Sequence, residues 1–422
     1  DLAGAYGVSF LMVLTAAGLT EALAPALETP PGSARLTPAQ RAACIRPLPL
    51  LCVAAALAGA LAYGHFRLHE PLAQSSRPPV AVALVQGSMD TVFGDPDLDQ
   101  RTLDQYVELS HAALARRPQL IAWPESTLPM QRIEWSDAGA TQIPAWYREA
   151  VESQGRSLGQ AEFDRLLRRQ QAVFEQSVFN LGAVAQDEHV PLLLGTTSLG
   201  VGPFPPRRYN TAVFVDDAGL VRDAYHKMHP VMFGEYAPGG KIFPWIYKLM
   251  PIPEGLTPGE RPKAFDVAGL KIAPSICFEN TVPHLIRRQV AQLKSEGREP
   301  DVLATLSNDG WFWGSAELDM HLICGQFRAI ELRKPAIIAA NTGLSAHVDG
   351  CGRLVQCGPR RQTAVLIAQV TPDGRASPYL QMGDLPANAC LLACAGLALV
   401  GLLARWAPSA SDQKLPIRPT GL

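Results

Sequence analysis

The chain is poor in the features that mark several common protein classes. Its 422 residues carry a net charge of −2, so there is no basic surplus for nucleic acid to bind, and no nucleic-acid partner is expected. Its eight cysteines, at 44, 52, 277, 324, 351, 357, 390 and 394, form no CxxC pair and no framework spacing. Neither a structural metal site nor a disulfide-stapled scaffold is indicated. Gly and Pro number 35 and 36 but are spread along the chain, with no internal repeat and no low-complexity tract. Most telling is what three stretches lack. Leu2–Thr20, Leu48–Tyr63 and Ala387–Ala404 contain no Asp, Glu, Lys or Arg.

Those runs are roughly 16–19 residues long, near the ~17–20 a helix needs to cross a bilayer. A secretory leader would not recur at the far end of the chain. Membrane helices are therefore expected over 1–27, 48–64 and 386–405. The link 28–47 carries Arg35, Arg41 and Arg46 against Glu28, and the tail 406–422 carries Lys414 and Arg418, with Arg405 just before it. Positive loops stay inside, which makes both cytoplasmic and puts about 65–385 outside. The chain opens on Asp1 rather than Met, so it is expected to be a piece of a longer protein with further spans upstream.

Between the spans, strands alternate with helices. Val80–Gln86 and Leu120–Trp123 read as buried strands, Asp97–Ala115 and Gln160–Gln186 as amphipathic helices. Further strands are expected at Val190–Thr197, Asn210–Val215, Leu270–Ile276, Val302–Leu306 and Ala336–Ala340. A closing hairpin is expected from Ala346–Leu354 and Ala364–Val370, and Cys351 and Cys357 in it are expected to be unpaired. Pro129–Leu158 reads as polar and irregular. This alternation implies an α/β domain with helices packed over sheets.

The chain is organised around Leu270–Ile276 and the cysteine that follows it. Cys277 ends a strand and precedes a helix-start signal, Asn280, Thr281 and Pro283. A helix N-terminus behind the sulfur would favour a thiolate. A lone cysteine is more often a small buried hydrophobe, but two other stretches supply what acyl transfer requires. Glu125 follows Trp123-Pro124, and Lys227 sits in Tyr225-His226-Lys227-Met228-His229, ahead of Phe233-Gly234-Glu235-Tyr236. A nucleophile, a carboxylate base and a cation for the oxyanion form a working set.

Taken in order, the motifs resemble the carbon–nitrogen hydrolase (nitrilase) superfamily and, within it, the bacterial apolipoprotein N-acyltransferases. The carriers are Leu84-Val85-Gln86-Gly87, Trp123-Pro124-Glu125-Ser126, Tyr209-Asn210-Thr211-Ala212, the Lys227 and Glu235 segments, Ile276-Cys277-Phe278-Glu279, Asn308-Asp309-Gly310-Trp311-Phe312, and His321 through Glu331 to Asn341-Thr342-Gly343. Three departures stand out. Met232 replaces a usual Pro, no Arg precedes Asn341, and an insert occupies about 129–160. The resemblance implies a nitrilase-like α-β-β-α sandwich over 78–375, flanked by membrane helices. It assigns Cys277 as nucleophile, Glu125 as base, Lys227 as oxyanion cation and Glu235 as its helper. Trp123, Phe233, Tyr236, Glu279 and Trp311 are candidate substrate contacts, while His321, Arg328 and Glu331 read as a buried polar scaffold. The implied reaction takes a fatty acyl chain from a phospholipid onto Cys277 and hands it to the N-terminal amine of a diacylglyceryl-cysteine lipoprotein. It needs no metal and no organic cofactor, and it takes place at the bacterial inner membrane on the periplasmic side. The alternatives are a membrane-tethered amidase acting on a small amide, and an inactive anchored binding module.

Overall fold

In the computed structural model, the described residues are 1–27, 37, 40, 44–72, 78–90, 97–136, 141–155, 157, 159–186, 190–240, 242–249 and 255–406. Arg35, Arg41, Lys414 and Arg418, on which the orientation argument leans, lie outside them.

Strand β1 (Val80–Gln86) is β-branched and apolar on both faces because it is covered on both. It pairs parallel with β2 (Leu120–Ala122) and antiparallel with β13 (Ala364–Val370), in register Val80↔Val370. Strands β4 (Leu192–Val201), β5 (Arg207–Val215) and β6 (Val221–His226) extend this sheet in the order β13-β1-β2-β4-β5-β6, and β3 (Arg132–Trp135) adds to β4. The second sheet runs β12-β11-β10-β9-β8-β7. It comprises β7 (Phe265–Val267), β8 (Leu270–Ile276), β9 (Val302–Ser307), β10 (Ala336–Ala340), β11 (Ala346–Val348) and β12 (Leu354–Cys357).

Apolar residues sort the layers. Val82, Leu84, Ala122 and Ala212 of one sheet meet Ile272, Ile276, Leu306 and Ala339 of the other in a core between the sheets. On the outer face of the first sheet, Ala83, Val85 and Ile121 pack under Tyr106 of α3 (Leu98–Leu114) and Phe174 and Val178 of α5 (Gln160–Gln186). On the outer face of the second, Leu303 and Ala336 pack under Ile286 and Val290 of α6 (Pro283–Ser295) and Ala329 of α7 (Glu317–Leu332). The result is a nitrilase-like α-β-β-α sandwich.

Among the described residues, three helices are long and apolar enough to cross a membrane: α1 (Ala5–Leu27), α2 (Pro47–His69) and α9 (Leu385–Trp406). The second runs past the expected end at 64, because Arg67 finds a partner: its guanidinium pairs with Asp1 and Glu70 and donates to Ala376 O at 2.7 Å. Asp1 also pairs with Arg333, so the helices are tied to the domain through buried charge.

Two expectations need correction. The segment Pro129–Leu158 is not irregular throughout its described residues. It forms β3 and helix α4 (Ala145–Glu152), and Ile133, Ile143 and Tyr147 build a small core with Phe163 and Leu167 of α5. Nor do Ala346–Leu354 and Ala364–Val370 pair as a hairpin. Strand β11 pairs with β12 in one sheet, and β13 crosses to the other to pair with β1. Chain proximity suggested the hairpin, but the long apolar edge of β1 offered β13 more burial. Cys351 and Cys357 are both free thiols.

Candidate active site

Four strand ends meet at one place. Glu125 follows β2, Lys227 follows β6, Cys277 follows β8, and Asn308 follows β9. Lys227 Nζ lies 3.1 Å from Glu125 Oε1 and 2.8 Å from Glu235 Oε1. Asn210 of β5 braces both carboxylates, with Nδ2 donating to Glu125 Oε1 at 2.7 Å and to Glu235 Oε1 at 3.3 Å. Backbone amides take the remaining oxygens. Asn308 N donates to Glu125 Oε2 at 3.0 Å and Val231 N to Glu235 Oε2 at 2.7 Å. Two glycines let the loops come this close. A Cβ at Gly195 would meet Pro124 O at 2.1 Å, and one at Gly259 would meet His226 O at 2.2 Å. Ser126 and Cys277 hold φ of 53° and 50°, a region non-glycine residues seldom adopt and one that recurs at functional sites.

The electrostatics are those of charge held out of water. Burial alone would lower the Lys227 pKa, but the Glu125 and Glu235 carboxylates push it well above the ordinary lysine value. Cys277 moves the same way: burial and then the Glu125 charge raise the thiol well above its usual value, and Lys227 only partly offsets them. The thiol is therefore neutral at rest. This corrects the expectation of a dipole-stabilised thiolate. The residues after Cys277 form a five-residue 3₁₀ turn, Cys277–Thr281, and α6 starts only at Pro283.

Two buried groups hold that turn. Glu279 is fully buried and accepts from Ile276 N at 2.7 Å, Met228 N at 2.6 Å, His229 N at 3.0 Å and Tyr225 OH at 2.8 Å. It thus binds the Lys227 loop to the Cys277 turn, and its burial lifts its pKa to about 7. On the other side, a His321 ring nitrogen (Nε2) lies 3.0 Å from Cys277 O and Nδ1 lies 2.9 Å from Asp309 Oδ1, and Ser307 Oγ donates to the same oxygen at 2.7 Å. His321 is raised, despite burial, by Asp309. Asp309 is lowered, despite burial, by His321.

The structure brings Glu125, Lys227 and Glu235 into direct contact and couples Cys277 to them. It does not bring in every expected substrate contact. Trp123 is core: it is buried on the helix side of the sheet, donates to Ser110 Oγ at 2.8 Å and packs on Tyr106. Glu279 is sealed under the turn rather than open to a substrate. Phe233 and Trp311 are exposed, and Tyr236 is half-buried. Arg328 and Glu331 are buried, and their side chains approach to 2.7 Å. Among the residues sequence reasoning did not single out are Asn210, Ser307 and Asp309. Asn210 and Asp309 sit inside motifs that carry the resemblance and Ser307 directly before one, and only the fold reveals their partners.

Residues 81–378 match the carbon–nitrogen hydrolase family, and the chain belongs to it. Over nearly its whole length it is similar to proteins named apolipoprotein N-acyltransferase. The one from Rhodopirellula baltica is 29% identical over 92% of this chain and 68% of its own. The one from Geobacter metallireducens is 30% identical over 96% and 66%, and the one from Photobacterium profundum 28% over 72% and 51%. The chain thus spans between half and two thirds of these relatives' length. Among solved structures, an amidase from Nesterenkonia sp. aligns with TM-score 0.47 and 18% identity, over 75% of this chain and 98% of that one. With three helices long and apolar enough to span a bilayer, the chain is a membrane protein.

Proposed function

We propose that the chain is a membrane-bound N-acyltransferase. It takes a fatty acyl chain from a phospholipid onto Cys277 and passes it to the N-terminal amine of a diacylglyceryl-cysteine lipoprotein. The observation that carries the reading is the buried Glu125–Lys227–Glu235 cluster beside Cys277, in a domain rooted in apolar helices. A soluble amidase substrate would not require those helices.

Each residue has a defined task in this reading. The Cys277 S–H proton passes to Glu125 as sulfur attacks the ester carbonyl, so a thiol with a raised pKa is activated only when substrate arrives. The Lys227 ammonium faces the developing oxyanion, and Glu235 keeps it in place. The intermediate collapses, the C–O bond breaks, and the lysolipid leaves with the proton from Glu125. In the second half the amine attacks the thioester and gives a proton to Glu125. The C–S bond then breaks, and the thiol regains that proton.

Apolar residues line the rim of this site. Met232, Phe233, Ile242, Phe243 and Trp245 are all exposed, as are Trp311 and Trp313. Such a patch suits contact with lipid rather than water. The insert 129–160 packs Ile133, Ile143 and Tyr147 against Phe163 and Leu167, and the side chain of Trp146 lies outside the described residues. The domain from 65 to 385 faces the periplasm in this reading, with 28–47 and 406–422 in the cytoplasm of a bacterial inner membrane. An impermeant thiol reagent should then miss a cysteine placed at 38 and label one at an exposed position such as 149.

Mass spectrometry of the full chain with phospholipid vesicles tests the reaction. The expected result is an acyl adduct on Cys277 that disappears when a diacylglyceryl-cysteine peptide is added and N-acylated. Release of ammonia from a small amide, with no adduct from phospholipid, would favour the amidase.

A further inference from the structure

The second turn of α6 carries cations that form no salt bridge with a described carboxylate. Arg287 and Arg288 make no ion pair with any described residue. Arg287 Nη1 donates to Leu380 O at 3.1 Å, which caps the short helix α8 (Pro378–Met382), but its Nε is buried without a hydrogen-bond partner among the described residues. The guanidinium lies against the bare Cα of Gly383, where a Cβ would stand 2.6 Å from Cζ. His284, one turn earlier, sits in the field of Arg288, His229 and Arg287. Asp384 is the opposing acid, and it also accepts from Tyr379 OH at 2.9 Å. Capping accounts for Nη1 of Arg287. It does not account for Nε, for Arg288 or for His284.

The place of these cations in the fold gives them a use. Asp384 is the last residue before α9, and α9 is exposed along its length. A cation at the root of an apolar helix stands at headgroup depth, where phosphate is the abundant anion. The same turn is also close to the nucleophile. Val282 alone separates α6 from the Cys277–Thr281 turn, and Phe278, next to Cys277, stacks on His229 with centroids 5.9 Å apart. The helix that carries these cations thus starts one residue past the nucleophile's turn and, through Arg287 against Gly383, touches the root of α9.

We propose that Arg287 and Arg288, with His284, bind the phosphate of a phospholipid headgroup and seat that lipid beside α9 with its ester toward Cys277. The role given to the ester rests on the phospholipid-donor reading above. The shared chemistry is a phosphate oxyanion held by guanidinium groups. A lipid headgroup and free phosphate both offer it.

The test uses the full chain in detergent micelles, with Cys277→Ser as background so that binding is read without turnover. The probes are dihexanoylphosphatidylglycerol, dihexanoylglycerol with the same chains and no phosphate, and inorganic phosphate. Calorimetry should show the phospholipid binding about tenfold tighter than the diacylglycerol, the scale of one charge-assisted hydrogen bond at a half-exposed site. Arg287→Gln combined with Arg288→Gln should remove that advantage. Should the double variant fail to fold, Arg288→Gln decides the matter, because Arg288 is exposed, and it should lower the preference at least threefold. Equal binding of the two lipids, or a preference that survives these variants, overturns the site. Displacement of the phospholipid by an equal concentration of inorganic phosphate overturns the headgroup assignment. The adduct on Cys277 in the wild-type chain is read separately. A phosphate preference without an adduct spares the site and sinks the transfer reaction, and an adduct without the preference does the reverse.

Discussion

The floor and the rim of the site break the usual sorting of side chains in opposite directions. At the floor, Lys227 is 1% exposed, Glu279 0% and Glu125 6%. At the rim, Phe233 is 65% exposed, Trp245 60% and Trp313 65%. Phe233 lies only six positions after Lys227 in the chain. The floor tolerates charge because each charged atom has a partner, and those partners make a water-poor setting in which charge acts strongly. The rim leaves much of its aromatic surface exposed, and an apolar surface that water would penalise is one a bilayer can cover. The floor's chemistry is thus fixed within the domain, while the rim's exposed surface calls for something outside it.

The sharpest way to break the floor is to remove one charge. Lys227→Ala should abolish acyl transfer and lower stability by about 3–5 kcal/mol, because it leaves Glu125 and Glu235 facing each other without their cation. Denaturant unfolding in detergent checks the second part, and an unchanged midpoint would show that water reaches the cluster. Cys277→Ser should cut adduct formation at least ~10³-fold with the unfolding midpoint kept. Wild-type turnover in that variant would remove Cys277 from the mechanism.

Next comes the brace. Glu279→Gln places an NH₂ where the carboxylate accepts backbone N–H groups, so turnover should fall about 10–100-fold, and the Cys277 thiol should alkylate at an altered rate. The rim should show a more selective effect. Met232→Ser with Trp245→Ser should impair bilayer-embedded donors about tenfold and leave a water-soluble short-chain ester nearly untouched. Equal loss on both would return those residues to the scaffold.

The smallest expected effect is the pH dependence of stability. Glu279 binds its proton more tightly folded, with a pKa near 7 against an ordinary 4.5. Its contribution is complete below about 4.5 and is lost as pH rises to about 7. His321 is also raised, so its contribution fades as pH rises through its folded pKa, above the ordinary 6.5. Asp309 acts oppositely: it is lowered below 3.8 and loses its share only in strong acid. Between pH 5 and 8 the midpoint should therefore fall by a few degrees, of the order expected for ~1–2 kcal/mol, and Glu279→Gln should flatten part of that slope.

Much of this was readable from the sequence alone, because local signals carried it. Three charge-free runs gave three apolar helices, since span length is a property of consecutive residues. Most strands of the two sheets announced themselves by apolar, β-branched runs, although β3, β6 and β7 did not, and three motifs marked Glu125, Lys227 and Cys277. Only the fold could decide what depends on residues far apart in the chain. The carboxylate of Glu279 looked like a possible substrate contact beside the nucleophile, and the packing of β6 against β8 turned it into a buried brace. Trp123 shares its motif with Glu125, yet β2 ends at Ala122 and the chain turns through Pro124, so Trp123 packs in the helix-side core while Glu125 meets Lys227. The thiol's raised pKa is likewise a tertiary fact. A helix start near Cys277 argued for a thiolate, but burial and the Glu125 charge, placed 152 positions earlier in the sequence, outweigh it. Desolvation and Coulomb terms depend on distance in space, and the sequence records only distance along the chain.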